Sequence, residues 1–342
     1  MKTTDILPLL FLLFFSASCS DDSGEEMSVI QVVAKYETNR DWTYEGDTIQ
    51  FTDLSTGNAN SWKWTFDGGT PATSTEQNPK VVYNTAGTFG VSFTVSNGDT
   101  EGGRSNINQV EVREINGPPY EGTAWIEGGM FTEDDPSIYQ SIKEAGQDLR
   151  LVYDRRDDSW SEINARIFEA TFEGGKTIDM QVNPEIGAAA ARTYAEQYAR
   201  YVGQVPRFLL KDVETVTIHD GLANFGGGNG GIDVYLEQGE VYLSVNVMEE
   251  IMFHEAAHVT IQYLQDDDSY LSARRKDPTY LSTYARDNLN REDVAESIAP
   301  YLVYRYYPER LHEDMKYVFS KIIPNRIAFF DQQDYDIYPL KK

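Results

Sequence analysis

The hydrophobic period of this chain changes once along its length, and that change constrains the fold more than any other feature. Up to about Ile115 apolar and polar residues alternate in short runs cut by turn residues; beyond Asn116-Gly117-Pro118-Pro119 the text turns to β-hairpins and then to long helical spacing. One core cannot serve both patterns, so at least two folded units are expected, and 342 residues are enough for them. The first pattern reads as an antiparallel β-sandwich over residues 29–115. Its clearest strands are Thr48 to Thr52, Ser61 to Phe66, Val81 to Tyr83 and Thr88 to Val95. In the last of these Phe89, Val91, Phe93 and Val95 share one face at period two, and Trp62 and Trp64 share a face assigned to the core.

The second pattern, residues 120–342, reads as an α+β domain. Ala165 to Phe172 and Thr177 to Val182 flank Glu173-Gly174-Gly175-Lys176 as a hairpin, and Ala188 opens an alanine-rich helix running to about Tyr201. Strands are expected near Val213 to Ile218 and Ile232 to Leu236, with mostly helix from Val247 onward. The glycine-rich stretch Phe225 to Gly231 lacks the Lys-Ser/Thr pair of a phosphate loop and reads as a mobile loop. Ile322 to Ile327 offers no decodable chemistry.

Lys plus Arg total 29 against 55 Asp plus Glu, a formal charge of −26 that repels nucleic-acid phosphates, so no nucleic-acid partner is expected. A single cysteine, Cys19, excludes an intrachain disulfide and any multi-cysteine zinc site, so a metal would need His and carboxylate. Lys2 precedes an apolar run, Ile6 to Phe15, too short to cross a bilayer core of about 30 Å but fitting a secretory signal. That run leads through Ser16-Ala17-Ser18 to Cys19.

Met248 to Leu264 contains neither Gly nor Pro and reads as one helix carrying His254-Glu255-Ala256-Ala257-His258. At about 3.6 residues per turn His254 and His258 share a face, so both imidazoles can reach one metal ion while Glu255 leans toward its open position. A pair of core histidines is the competing reading. A hydrolytic zinc site needs a third protein ligand. His219 and His312 sit in no ligand motif, and His312 reads as a solvated helix face. Asn290 to Glu296 starts a helix with Asn290 as N-cap and Asp293 at the capping-box position, while Glu296 lies beyond the first turn, where a metal would compensate a buried carboxylate. Asp293 stays open as the alternative ligand.

Three resemblances attach to these residues. Gly46-Asp47-Thr48, Phe51-Thr52-Asp53-Leu54-Ser55, Trp62-Lys63-Trp64-Thr65-Phe66, Asn78-Pro79 and Tyr83 to Phe89 resemble the PKD domain, an immunoglobulin-like sandwich that usually serves as a spacer. HExxH followed by Glu292-Asp293-Val294-Ala295-Glu296, with Ser282 to Arg286 upstream, resembles gluzincin metallopeptidases, nearest the lethal-factor type. That resemblance implies a zincin-like fold binding zinc through His254, His258 and Glu296. It makes Glu255 the general base and Tyr284 the stabiliser of the transition state, although Tyr284 is equally readable as a structural tyrosine. It also implies that a strand ahead of the metal helix, Ile232 to Leu236, is a candidate cleft edge joined by an extended peptide, although it is equally readable as a plain structural strand. Thermolysin-like members place an acid four residues after the zinc glutamate; here that position is Pro300, so orienting the histidines would fall to Glu292, Asp293 or a backbone carbonyl. The N-terminus resembles Bacteroidetes-type surface lipoproteins, which implies a signal peptide over residues 1–18, a lipid on Cys19 as the only membrane attachment, an acidic tether over 19–28, and display outside the cytoplasm at the cell surface. The expected function is a cell-surface zinc metallopeptidase acting on peptide or protein substrates. The alternative is a non-catalytic binding or adhesion lipoprotein with a degenerate site. Nothing in the sequence speaks to oligomeric state.

Overall fold

The computed structural model describes residues 29–124 and 128–341, so the signal, Cys19 and the acidic tether lie outside the described residues. The chain divides into two compact units, 1–114 and 115–342. Among the described residues no helix is long and apolar enough to cross a membrane.

In the first unit two sheets face each other. One orders Tyr36–Thr38, Thr48–Asp53, Lys80–Tyr83 and Gly69–Thr70; the other orders Trp42–Tyr44, Glu101–Arg113, Gly87–Ser96, Ser61–Phe66 and Thr73–Ser74. Trp64 fills the space between them, stacked on Phe93 at 3.6 Å, with Tyr36, Phe51 and Phe66 around it. Its buried indole N–H donates to the Glu76 carbonyl at 2.9 Å, so no polar atom is stranded. Trp62 sits at the rim, half-buried, donating to Asp53 Oδ2 at 2.8 Å. Val91, Phe93 and Val95 are buried as their period requires, and a β-bulge between Phe89 and Val91 carries Phe89 onto Tyr83.

The second unit begins with a mixed β region and ends in helices. Its six-stranded sheet runs Tyr139–Asp154, Ser159–Phe172, Thr177–Val182, Thr215–His219, Gly231–Tyr235, Gly226–Gly228, with parallel pairing only at the two central junctions. The hairpin about Glu173 to Lys176 is present, and Ala188–Val202 supplies the crossover between the first parallel pair. That helix buries Ala191, Ala195, Tyr198, Ala199 and Val202, one stripe at helical spacing. One face of the sheet, with Met180, Val182, Val216, Ile218, Ile232 and Val234, is fully buried.

Three local expectations are corrected. The glycine stretch is ordered: Gly226–Gly228 pairs antiparallel with Gly231–Tyr235 through Asn229 and Gly230, both at positive φ, the backbone of a two-residue hairpin turn. Consequently Ile232 to Leu236 is not the edge of the sheet, because Gly226–Gly228 pairs outside it as far as Asp233 and Leu236 already opens a helix. The α-helix with the two histidines ends at Thr260 and continues as a 3-10 turn over Gln262–Asp266.

Candidate metal centre

His254 and His258 stand on the Met248–Thr260 helix, buried along nearly its whole length against the glycine strand on one side and the Glu292–Tyr306 helix on the other. Glu249 and Glu250 in its first turn complement the helix dipole in place of a side-chain cap. His254 Nε2 and His258 Nε2 lie 3.0 Å apart, and Glu292 Oε2 lies 3.2 Å from the first and 3.1 Å from the second. Gln262 fixes the His258 ring. The Gln262 amide nitrogen donates to the Arg291 carbonyl at 3.1 Å, so its oxygen faces His258 Nδ1 at 2.6 Å and accepts a proton there. The neutral ring therefore turns a lone pair at Nε2 toward the carboxylate.

With both rings neutral and unprotonated at Nε2, these are three buried acceptors within 3.2 Å of one another and call for a cation among them; without a metal ion, protons on the rings fill that place. A tetrahedral metal with bonds of about 2.0–2.1 Å holds its ligand atoms roughly 3.3 Å apart, so this triangle fits such an ion with little adjustment. His254, Glu255 and His258 also form a group able to hold a metal ion. Burial alone would raise the Glu292 carboxyl; hydrogen bonds from His254 and His258 reverse that and hold it well below the usual carboxylate range. Burial would lower the His258 imidazole, but Glu292 and Glu255 outweigh it and raise it.

Of the carboxylates on the second helix, the structure brings Glu292 rather than Glu296 to the two Nε2 atoms. Glu296, expected as the third ligand, is one turn too far along: its Oε1 lies 4.0 Å from His254 Nδ1, the opposite side of that ring from the triangle. Its Oε2 accepts from Ser282 Oγ at 2.7 Å and from Ala124 N–H at 2.9 Å. Burial pushes its carboxyl up to about 8 despite both donors. Glu292 reaches the triangle because the helix begins at Glu292 itself, with Arg291 rather than Asn290 at the N-cap. Asp293 neither caps nor ligates. It is buried in an ion pair with Arg326 at 2.6 Å and accepts from Tyr270 OH at 2.8 Å. Arg326, itself fully buried, also holds Asp277 at 2.9 Å, so this pair anchors the first turn of the Glu292 helix.

Tyr284 lies on the short Thr283–Asp287 helix, capped by Ser282, whose Oγ accepts from Ala285 N–H at 3.0 Å while donating to Glu296. Ser282 and Gln262 are thus supporting residues that sequence reasoning missed; Ser282's capping position ahead of the Tyr284 helix was the available signal. Tyr284 is 40% exposed and shares a pocket of about 480 Å³ with Glu255, His254, His258 and Glu292. Burial, then Glu292 and Glu255, push its hydroxyl up to about 12. The rest of that pocket is mixed: Phe225, Val241, Tyr242, Val245, Val247 and Ile251 stand beside Thr123, Arg155, Asn224 and Gln238. A larger cleft of about 990 Å³ meets the same residues from the other side, at Tyr284, Arg291 and Glu292. His219 lies elsewhere, buried and stacked on Tyr235 at 4.8 Å, and His312 is exposed at the start of the Glu313–Ile322 helix.

Residues 34–106 match the PKD domain family, and this segment of the chain is a PKD domain. It is similar to the PKD1 domain of Vibrio anguillarum Epp, at 25% identity over 24% of this chain and 96% of that one, with a TM-score of 0.21. It is also similar to the PKD1 domain of the Vibrio cholerae metalloprotease PrtV, at 28% identity over 24% and 99%, with a TM-score of 0.20. No curated protein matches the chain.

Proposed function

We propose that residues 115–342 form a zincin-like zinc metallopeptidase, carried behind the PKD domain on a lipid-anchored surface protein. The observation that carries the reading is the buried triangle of His254 Nε2, His258 Nε2 and Glu292 Oε2, with Glu255 and Tyr284 opening onto the same pocket. His254, His258 and Glu292 would hold the metal. Zinc bound there supplies a Lewis acid that polarises a scissile carbonyl and makes water a nucleophile near neutral pH. Glu255 takes the proton from the attacking water and passes it to the leaving amine. Tyr284 donates its O–H toward the developing oxyanion, and a hydroxyl held up to about 12 keeps that proton at neutral pH. Glu296, braced by Ser282 and Ala124, stands 4.0 Å from His254 Nδ1, where its carboxyl group would orient that ring. The apolar side chains of the pocket beside Glu255, Phe225, Val241, Val245 and Ile251 among them, would favour a hydrophobic side chain next to the cleaved bond.

Glu255→Gln tests this. The amide keeps the shape of the carboxylate but cannot take a proton, so zinc content and fold should persist while cleavage of a peptide library disappears. Equal cleavage by both proteins would remove Glu255 from the chemistry.

A further inference from the structure

The sheet of the second unit ends in two edges that differ in what they leave free. One is Gly226–Gly228, only three residues long, and its Gly227 carbonyl is already taken by Arg291 Nη2 at 3.2 Å. The other is the Tyr139–Asp154 strand. Its outer half leaves the plane of the sheet and folds back over it. Arg150 Nη2 reaches Asp179 at 3.2 Å, Arg155 N–H donates to Tyr235 OH at 2.7 Å, and Arg156 Nη1 donates to the Asp220 carbonyl at 3.0 Å.

This roof encloses the 990 Å³ cleft, whose wall includes Leu149, Arg150, Leu151, Val152 and Tyr153 in unbroken succession. Successive strand residues point to opposite faces, so five in a row on one wall mean that the cleft meets the strand's edge. The Leu149 N–H turns to Asp148 Oδ1 at 2.9 Å instead of its hairpin partner. By the alternation of an antiparallel ladder, the main-chain groups of Leu151 and Tyr153 then face outward as well.

An open main-chain edge is matched by another extended main chain. Along this wall of the cleft it offers Leu149 and Leu151, 59% and 64% exposed, and Trp160, 55% exposed, paired with Tyr153 at a ring separation of 5.4 Å. Those side chains would flank alternate residues of an added strand. On the inner side the cleft presents Gln181, Thr217 and Asp233, in register on three adjacent strands. At its end stand Tyr284, Arg291 and Glu292. We propose that the Leu149–Tyr153 edge binds the substrate polypeptide as an added β-strand, favouring apolar residues at alternate positions with polar ones between. That the occupant is a substrate rests on the peptidase reading of the adjoining centre.

The test uses the full chain carrying Glu255→Gln and a dye-labelled peptide of about ten residues, some 33 Å when extended, alternating Leu or Val with Thr or Lys. Two further versions are N-methylated at alternate residues, one in each register. The apolar alternation fixes which side of the peptide faces the edge. Fluorescence anisotropy should show one methylated register binding about tenfold or more weakly and the other binding like the parent. Leu151→Pro, which deletes an outward N–H, should weaken the parent peptide by a similar factor. Equal binding of the two methylated peptides overturns the proposal, as does undiminished binding by a natively folded Leu151→Pro. Self-association abolished by Leu151→Pro in sedimentation would give the edge to a second copy and also overturn it. The peptidase reading is scored separately with the wild-type chain. Register-dependent binding without cleavage of the parent peptide keeps the strand pairing and removes the peptidase, while cleavage without register dependence does the reverse.

Discussion

Exchanging Glu292 and Glu296 for glutamine, one at a time, separates ligand from support. Ser282 Oγ and Ala124 N–H both donate to Glu296 Oε2, so in Glu296→Gln the amide oxygen must stay there to accept them. Its NH2 group is then left at the Oε1 position, 4.0 Å from His254 Nδ1 in the parent, where it favours a ring whose Nδ1 accepts and whose Nε2 carries the proton. That proton must move before the ring can bind metal. The loss of one such orienting partner costs about 10–100-fold in metal affinity, or about 1.4–2.7 kcal/mol. Glu292→Gln removes a carboxylate that lies within 3.2 Å of both Nε2 atoms, and its whole negative charge. Its loss should exceed the upper end of that range. Competition for zinc with a fluorescent chelator, on protein whose circular dichroism matches the parent, measures both. If Glu296→Gln weakens zinc as much as Glu292→Gln or more, the assignment of the triangle is wrong and Glu296 is the ligand.

Arg326→Met should destabilise the second unit by about 3–5 kcal/mol, because it leaves Asp277 and Asp293 charged, buried and without their partner. For a unit of this size that is a fall of roughly 6–20 °C in Tm, and a shift below about 2 °C would show that the pair is not maintained in solution. Tyr284→Phe should lower kcat by about 10²–10³ with zinc affinity unchanged; an unchanged rate would make Tyr284 a packing residue. Glu250 gives a pH signature. Its Oε1 accepts from Phe131 N–H at 2.9 Å, its Oε2 has no partner among the described residues, and burial pushes its carboxyl up from 4.5 to about 7. The folded chain thus holds this proton more tightly than the unfolded chain. Its contribution to stability is full below about pH 4.5 and falls by about 3 kcal/mol as pH rises to about 7 and a little beyond. Denaturant titrations of the parent and Glu250→Gln at pH 5 and 8 should differ by that slope, and parallel curves would refute it.

The helix with the two histidines was legible because an i, i+4 pair on an uninterrupted apolar segment needs only helical geometry to bring both rings together. The third carboxylate was not. Glu292 and Glu296 stand one turn apart on the same helical face, and which one meets the Nε2 atoms depends on where two helices cross. Taking Asn290 as the cap also placed Glu292 in a first turn that would ordinarily be solvated, whereas that turn is buried under Arg326. The partner of Asp293 was hidden in Ile322 to Ile327, where one arginine among apolar residues gives no local sign of an acid 33 positions away. The sandwich was readable from period two alone. The true sheet edge was not, because Gly226–Gly228 carries no side chains and so no hydrophobic period. The folded-over hairpin escaped for the opposite reason: much of it is exposed on both faces, and its alternation does not point to a core.

Gly227 has an effect on how such a chain can change over generations. A Cβ there would lie 2.0 Å from the Glu255 carbonyl oxygen, so every substitution at that codon pushes the wall away from the helix that carries the base. Position 227, beside the two histidines' helix, is therefore closed to variation and presents nothing but main chain. Leu149, Leu151 and Trp160 hold up no core, so descendants of this chain can replace them freely. On the peptidase reading, new preferences could be tried at the roof without touching Glu255, and diversification and catalysis would draw on separate sets of positions.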